Sequence, residues 1–221
     1  MRYISFTFDD CYLESCNKAN DILLPYKATF YLTSGWIKPN NCEIKDESNK
    51  NINHGCIEDW KKLFELGHEL GAHTHTHIRM TDKNCYSECL QSLELIKQIQ
   101  TEGPYSFATP YFDNVSHVMI NMFDSIRVGY KNSRFYNNLE KLDWKLLTSF
   151  CPLAEGRNFN KVLEIIKNTP DNHWVILCLH GLDKEGFSPI SSEELKRLRE
   201  FSLQEKIDIK NIKEVYMKAK L

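Results

Sequence analysis

A chain of 221 residues, 42% hydrophobic and 12% aromatic, suffices for one folded domain with a substantial buried core and excludes a disordered protein. Its formal charge of −2 comes from 28 basic and 30 acidic residues spread without like-charged blocks, which excludes a surface built for nucleic acid or an anionic membrane. No apolar run approaches the ~20 residues needed to span a bilayer, so membrane insertion is not expected.

The chain begins with an alternating run, Tyr3 to Phe8, read as a strand, and shows no basic n-region, apolar h-region or small-residue cleavage site, which points to a cytoplasmic location. A helix is predicted from Leu13 to Leu24 and a strand from Ala28 to Leu32. Between Ser34 and Cys56 lies a polar stretch containing Pro39-Asn40-Asn41 and Asn49-Lys50-Asn51, too long for an ordinary connection and read as a loop or lid. A helix from Ile57 to Leu66 and a strand from Glu69 to Ala72 come next. The clearest helix runs from Tyr86 to Gln100, where Cys89, Leu90, Leu93, Ile96 and Ile99 recur at helical spacing and Gly103-Pro104 stops the run. Then follow a strand from Ser106 to Thr109, a helix from Val115 to Phe123 and a strand from Ile126 to Tyr130. The last elements are a helix from Phe159 to Lys167, a strand from Trp174 to Leu179, a helix from Ser192 to Glu205 and a strand from Ile207 to Ile209.

This alternation predicts repeated βα units around a parallel sheet or barrel, the α/β class, and with no internal repeat a single domain over 1–221. The eight cysteines (Cys11, Cys16, Cys42, Cys56, Cys85, Cys89, Cys151 and Cys178) match no zinc-ribbon or redox spacing and read as scattered reduced thiols.

Two clusters carry chemistry. The first strand ends in Asp9-Asp10, and strand ends in parallel α/β folds open onto the functional face. Adjacent residues leaving a strand point in different directions, so one carboxylate could bind a cation while the other serves as a base. Asp10 could equally cap the following helix. The second cluster is Gly67-His68-Glu69-Leu70-Gly71-Ala72-His73-Thr74-His75-Thr76-His77. His73 and His77, four apart, suit two ligands on one divalent ion, with His75 as a substitute if the segment is extended. His68 precedes the strand rather than following it and reads as structural. With a carboxylate from elsewhere this makes an Asp-His-His set, which suits zinc and also admits cobalt, nickel or iron.

On these residues the chain resembles the polysaccharide deacetylase family, also called the NodB-homology or carbohydrate esterase 4 group. Thr7-Phe8-Asp9-Asp10 is similar to its first motif, and the histidine cluster resembles its second, which ends in His-Ser/Thr-x-x-His. Lys27-Ala28-Thr29-Phe30-Tyr31-Leu32 lies where the family has its second strand, Phe107-Ala108-Thr109-Pro110-Tyr111 resembles the third motif, and Leu177-Cys178-Leu179-His180 the Leu-x-His of the fifth.

The resemblance implies a distorted (β/α)7 barrel with its site at the strand C-termini and one divalent metal ion, zinc first, on Asp10, His73 and His77. It also implies Asp9 as general base, His180 as general acid, and Pro110-Tyr111 at the substrate, with the Tyr111 backbone N–H toward the oxyanion. Leu177 and Leu179 would face inward and receive the acetyl methyl on the strand's two-residue period. The implied activity is removal of N-acetyl groups from glycans containing N-acetylglucosamine.

Two departures stand out. Most relatives have an arginine at the position of Ala108, where it pairs with the catalytic Asp. The fourth motif, an Asp-Trp pair, has only Asp143-Trp144 as a match, read instead as a surface helix carrying Asp beside a core Trp. These departures keep a degenerate, noncatalytic sugar-binding domain as one alternative. Deacetylation of a nucleotide- or lipid-linked amino sugar, or of another amide, is a second, and an iron or zinc storage or sensor module a third. The sequence sets no oligomeric state.

Overall fold

The structure, a computed structural model, describes residues 1–37, 43–45, 51–81, 83–129, 135–151 and 159–220. Cys42, Tyr130 and much of the Ser34–Cys56 stretch lie outside the described residues. In chain order the elements are β1 (Arg2–Phe8), α1 (Leu13–Leu23), β2 (Thr29–Leu32), β3 (Glu43–Lys45), β4 (Asn51–Asn53), α2 (Ile57–Glu65), β5 (Glu69–Ala72), α3 (Cys85–Ile99) and β6 (Ser106–Ala108). They continue with α4 (His117–Met122), β7 (Ser125–Gly129), β8 (Tyr136–Asn138), β9 (Leu147–Ser149), α5 (Phe159–Lys167), β10 (His173–Leu179), α6 (Ser192–Gln204), β11 (Asp208–Ile209) and α7 (Ile212–Ala219).

The main sheet runs β8-β10-β1-β2-β5-β6-β7-β9, and every neighbouring pair from β10 through β9 is parallel. Phe150, the residue after β9, brings the sheet nearly to closure. Its N–H donates to Ile176 O at 2.8 Å and its carbonyl accepts from Cys178 N at 2.9 Å, both on β10. The result is the expected distorted α/β barrel of seven parallel staves, with β8 antiparallel along the first half of β10.

The staves are not all the expected ones. The Ile207–Ile209 segment forms β11, which pairs only with Tyr3 and Ile4 and flanks the ring. Its place as seventh stave belongs to β9, whose Leu147-Thr148-Ser149 is too short to show a period in the sequence. The antiparallel hairpin β3–β4 sits inside the stretch read as a loop. Helix α7 was also not anticipated, although Asn211 and Glu214 form a capping box at its start that the sequence does display. Asp143-Trp144 lies in a turn, not a helix. Trp144 packs at 6.1 Å on Trp174 and 4.7 Å on Tyr216 at the start of β9, the end of the barrel opposite Asp9 and Asp10, so this pair cannot serve as a fourth motif there.

The two faces of the staves divide the core. Phe6, Phe8, Phe30, Leu70, Phe107, Ile126, Val175, Leu177 and Leu179 pack outward in one cluster with helix residues such as Trp60, Ile96, Val162, Leu195 and Leu198. The opposite face fills the barrel. Tyr3, Leu147, Trp174 and Ile176 form a separate apolar plug, and the Trp174 indole donates to Ser5 Oγ at 2.9 Å. A buried carboxylate, Glu69, accepts from Thr29 and Ser106 hydroxyls at 2.8 and 2.6 Å and from the Lys213 N–H at 2.7 Å, which ties the first turn of α7 to the barrel.

Gly71 is needed by this interior. A Cβ there would meet the Tyr31 ring at 2.5 Å and Ser106 Oγ at 2.7 Å, both held in place. Gly71→Val should therefore cost about 1–3 kcal/mol of stability by overpacking, read as a lower urea midpoint at unchanged slope. An unshifted midpoint would show that the interior yields more than its packing suggests. Among the described residues no helix is long and apolar enough to cross a membrane, and no disulfide joins the described cysteines.

Candidate metal and catalytic site

Because the staves run parallel, their C-terminal ends open at one mouth, and Asp9 and Asp10 after β1, His73 after β5, Thr109 after β6 and His180 after β10 all meet there. Asp10 turns into the left-handed region at φ 72°, followed by Cys11 at φ 50°. Such backbone costs of order 1–3 kcal/mol per non-glycine residue and needs support from its surroundings. His54 supplies some of it: its Nδ1 lies 3.1 Å from both the Asp10 and Cys11 carbonyls, and since carbonyls only accept, the ring nitrogen donates. No motif pointed to this histidine, which stands alone in a polar segment.

The second cluster is organised by a similar break. Thr74 at φ 65° and His77 at φ 54° end the extended run, and Thr74 Oγ1 accepts from His77 N at 3.0 Å. The backbone is thus neither helix nor strand, and His75 leaves the group: its Nδ1 lies 2.8 Å from Ser34 Oγ. Glu88 on α3 clamps the turn, accepting from His75 N, Thr76 N and Thr76 Oγ1 at 2.8–2.9 Å. His68 sits in the core, accepting from Ala28 N–H at Nδ1 and pairing with Asn20 at Nε2. Its pKa is pushed down to about 4 by burial and by Lys27, which fits a neutral structural ring.

His73 Nε2 and His77 Nε2 lie 3.5 and 3.2 Å from the same oxygen, Asp10 Oδ1. One ligand atom from each of the three residues lies within 4.8 Å of the others. His73 Nδ1 is 2.9 Å from the Ala108 carbonyl, to which it must donate, leaving the Nε2 lone pair directed at the cluster. Burial opposes the Asp10 charge, but the imidazoles of His73 and His77 beside it hold its pKa well below the ordinary value. Two imidazole nitrogens and one ionised carboxylate oxygen, with one ring tautomer fixed by a carbonyl, fit a divalent cation with open positions.

Asp9 points elsewhere. Its Oδ2 forms a buried ion pair with Arg127 Nη2 at 2.5 Å and lies 3.4 Å from Cys178 Sγ. Arg127 Nη1 donates to Ser149 Oγ at 2.9 Å, and its guanidinium lies 5.0 Å from the Tyr31 ring centroid. Burial disfavours the Asp9 charge, and Arg127, His73 and His180 outweigh it, so its pKa falls below the ordinary value. Among the described residues no donor reaches the buried Asp9 Oδ1, which leaves that oxygen open to accept a proton.

Arg127 was not singled out from the sequence. It lies on β7 directly across from Ala108 on β6, the position at which relatives were expected to carry their arginine. The guanidinium reaches the same carboxylate from one strand farther round the barrel.

His180 faces the Phe187 ring edge-on at 5.2 Å. Burial works against its charge, but a hydrogen bond with Cys151 and the carboxylates of Asp10 and Asp9 push its pKa up to about 9. Pro110 is buried, and Tyr111, at φ 53°, lays its ring 4.9 Å from His77 and donates its hydroxyl to the His77 carbonyl at 3.3 Å. Leu177 and Leu179 do not face the site. They lie on the outward face of β10 with the helical core, because the residue two before His180, and so on its side of the strand, is Cys178.

Residues 1–121 match the family model described as polysaccharide deacetylase. A peptidoglycan deacetylase of Helicobacter pylori is 32% identical over 107 residues, covering 39% of this chain and 36% of the relative, so the chain spans about a third of that protein's length. A family 4 acetyl xylan esterase from Clostridium thermocellum, solved with a cobalt ion, superposes with a TM-score of 0.61 at 15% identity, over 98% of this chain and 91% of its own. A CE4 family pseudoenzyme from Bacillus anthracis gives 0.60 at 16% identity, over 97% and 65%. At such identities the two structures share the fold with this chain.

Proposed function

The chain belongs to the polysaccharide deacetylase family, and from that premise we propose that it is a cation-dependent hydrolase removing N-acetyl groups from glycans that contain N-acetylglucosamine. The observation that carries this reading is the division of labour between adjacent carboxylates. Asp10 faces two imidazole nitrogens, while Asp9 is held by Arg127 with one oxygen open. A storage or sensor site would need the first arrangement and has no use for the second.

Asp10, His73 and His77 would hold one divalent ion, zinc first and cobalt, nickel or iron by the same donor chemistry. Bound there, the ion supplies acidity to the attacking water and polarises the acyl carbonyl. Asp9 accepts the water proton at Oδ1, and Arg127 fixes the carboxylate's direction through Oδ2. The Tyr111 backbone N–H steadies the charge developing on the acyl oxygen. His180 donates a proton to the departing nitrogen; its elevated pKa keeps it protonated at neutral pH, and a nearby dication would bring that value down toward neutrality. Cys178, two residues before His180 and on its side of β10, offers the acetyl methyl a small, weakly polar surface in place of the expected Leu177 and Leu179.

The rim suits a sugar. Trp36 lies 5.3 Å from His77, Tyr111 4.9 Å from His77 and Phe187 5.2 Å from His180, and Tyr111 and Phe187 are exposed. Aromatic faces at the mouth give a pyranose ring apolar surface to cover. The peptidoglycan deacetylase relative further favours an N-acetylated sugar polymer over a nucleotide- or lipid-linked sugar.

The test is acetate release from chitooligosaccharides and from a sugar nucleotide, with and without chelator. Chelator-sensitive release from the oligosaccharide is expected, and release that survives chelation would overturn the cation mechanism. Asp9→Asn should keep the bound metal, measured by elemental analysis, and lose turnover by about 10²-fold or more. Metal loss in Asp9→Asn equal to that in Asp10→Ala would show that base and ligand are exchanged.

A further inference from the structure

Two thiols stand beside His180 that the deacetylation chemistry does not require as a pair. Cys178 is fully buried on β10, and Cys151 follows Phe150, whose parallel bridge to Leu177 sets the two cysteines next to one another. The sulfur atoms of Cys151 and Cys178 and a ring nitrogen of His180 all lie within 4.8 Å of each other. The Cys178 thiol is not poised as a nucleophile: the hydrogen bond with Cys151 and burial push its pKa well above the ordinary thiol value.

We propose that Cys151, Cys178 and His180 form a second cation site, separate from Asp10, His73 and His77, which takes a thiophilic ion such as Zn2+ or Cd2+ and, when filled, withdraws His180 from proton transfer. The withdrawal rests on the reading of His180 as the proton donor; the site itself does not.

Ligand softness separates the two sites. The Asp-His-His set offers two nitrogens and an oxygen, whereas this one offers two sulfurs and a nitrogen, so cadmium and excess zinc favour it while cobalt and nickel favour the first. Tetrahedral coordination at ordinary Zn–S and Zn–N lengths brings donors to roughly 3.4–3.8 Å of one another, a contraction of about 1.4 Å at most from the present spacing. The fourth position stays open. On binding, the thiol protons and the proton on His180 leave to solvent, and two sulfur–metal bonds and one nitrogen–metal bond form. The dication and two thiolates sum to zero, so filling the site removes the one positive charge that His180 carried, and Asp9 keeps Arg127 as its counter-ion.

The experiment is a Cd2+ titration of the full chain presaturated with Co2+, followed by the ultraviolet thiolate-to-cadmium charge-transfer band. One equivalent of band is expected, lost in Cys151→Ser and in Cys178→Ser and retained in His77→Ala. Cys151→Ala, with thermal melts of each variant, separates loss of a ligand from loss of fold. A band that survives both serine substitutions would place the ion on other thiols and overturn the site, as would a band lost in His77→Ala.

A second arm reads activity: Cd2+ should inhibit the cobalt enzyme, with the inhibiting concentration raised at least ~10-fold in Cys151→Ser. Full activity at saturating band would overturn the withdrawal of His180. The proton-donor reading fails on different grounds, an unchanged basic limb of the pH–rate profile in His180→Ala.

Discussion

Asp10→Ala and His77→Ala are each expected to strip the bound metal and reduce acetate release to background, while leaving the fold intact. The two imidazole nitrogens lie 3.5 and 3.2 Å from Asp10 Oδ1, so removing the carboxylate takes away the anionic ligand that stands between them. Two nitrogens alone would hold a dication far less tightly than the same nitrogens with a carboxylate, so the ion would be lost, and with it the acidity it would lend to the attacking water at neutral pH. Elemental analysis after dialysis reads the first effect and acetate release the second. Full metal content in Asp10→Ala would mean that Asp9, whose Oδ2 lies 3.8 Å from His73 Nε2, is the ligand instead.

Arg127→Met is expected to affect both stability and catalysis. It leaves a fully buried carboxylate without its cation, which costs about 3–5 kcal/mol in comparable buried pairs. With Arg127 present the Asp9 pKa is depressed, so the pair's contribution is complete above about pH 4 and is lost as pH falls through the lowered value. With Arg127 gone, burial dominates and raises that pKa, so the contribution changes sign and stability declines as pH rises from the ordinary carboxylate value. Urea midpoints at acidic and neutral pH measure this.

In catalysis the same shift moves the acidic limb of the pH–rate profile to higher pH. An unmoved limb would reduce Arg127 to a packing role. Arg127→Lys should recover part of the loss, since it keeps the charge without the two-pronged geometry. In an Arg127→Ala background, Ala108→Arg should do the same, because the two positions are paired across β6 and β7.

Much of the site was legible because its signals are local. Asp9-Asp10 at a strand end and histidines four apart each carry their chemistry within a few residues, and the order of the motifs supplied the rest. Leu177 and Leu179 were misplaced because a two-residue period gives two faces without saying which is inside; the side chain that reaches Asp9 belongs to Cys178. His75 could not be set aside from spacing, since only the left-handed turns at Thr74 and His77 send it away from its neighbours.

The sequence by itself determined the α/β alternation, the family, and the residue types that converge at the barrel mouth, because hydrophobic period and short motifs are properties of adjacent residues. Tertiary structure alone decided that β9 rather than the Ile207–Ile209 strand completes the ring, that Arg127, across from Ala108, pairs with Asp9, and that Cys151 meets Cys178 and His180. Those pairings join residues up to 118 apart, and register between neighbouring strands, fixed by packing of the whole barrel, is what brings them into contact.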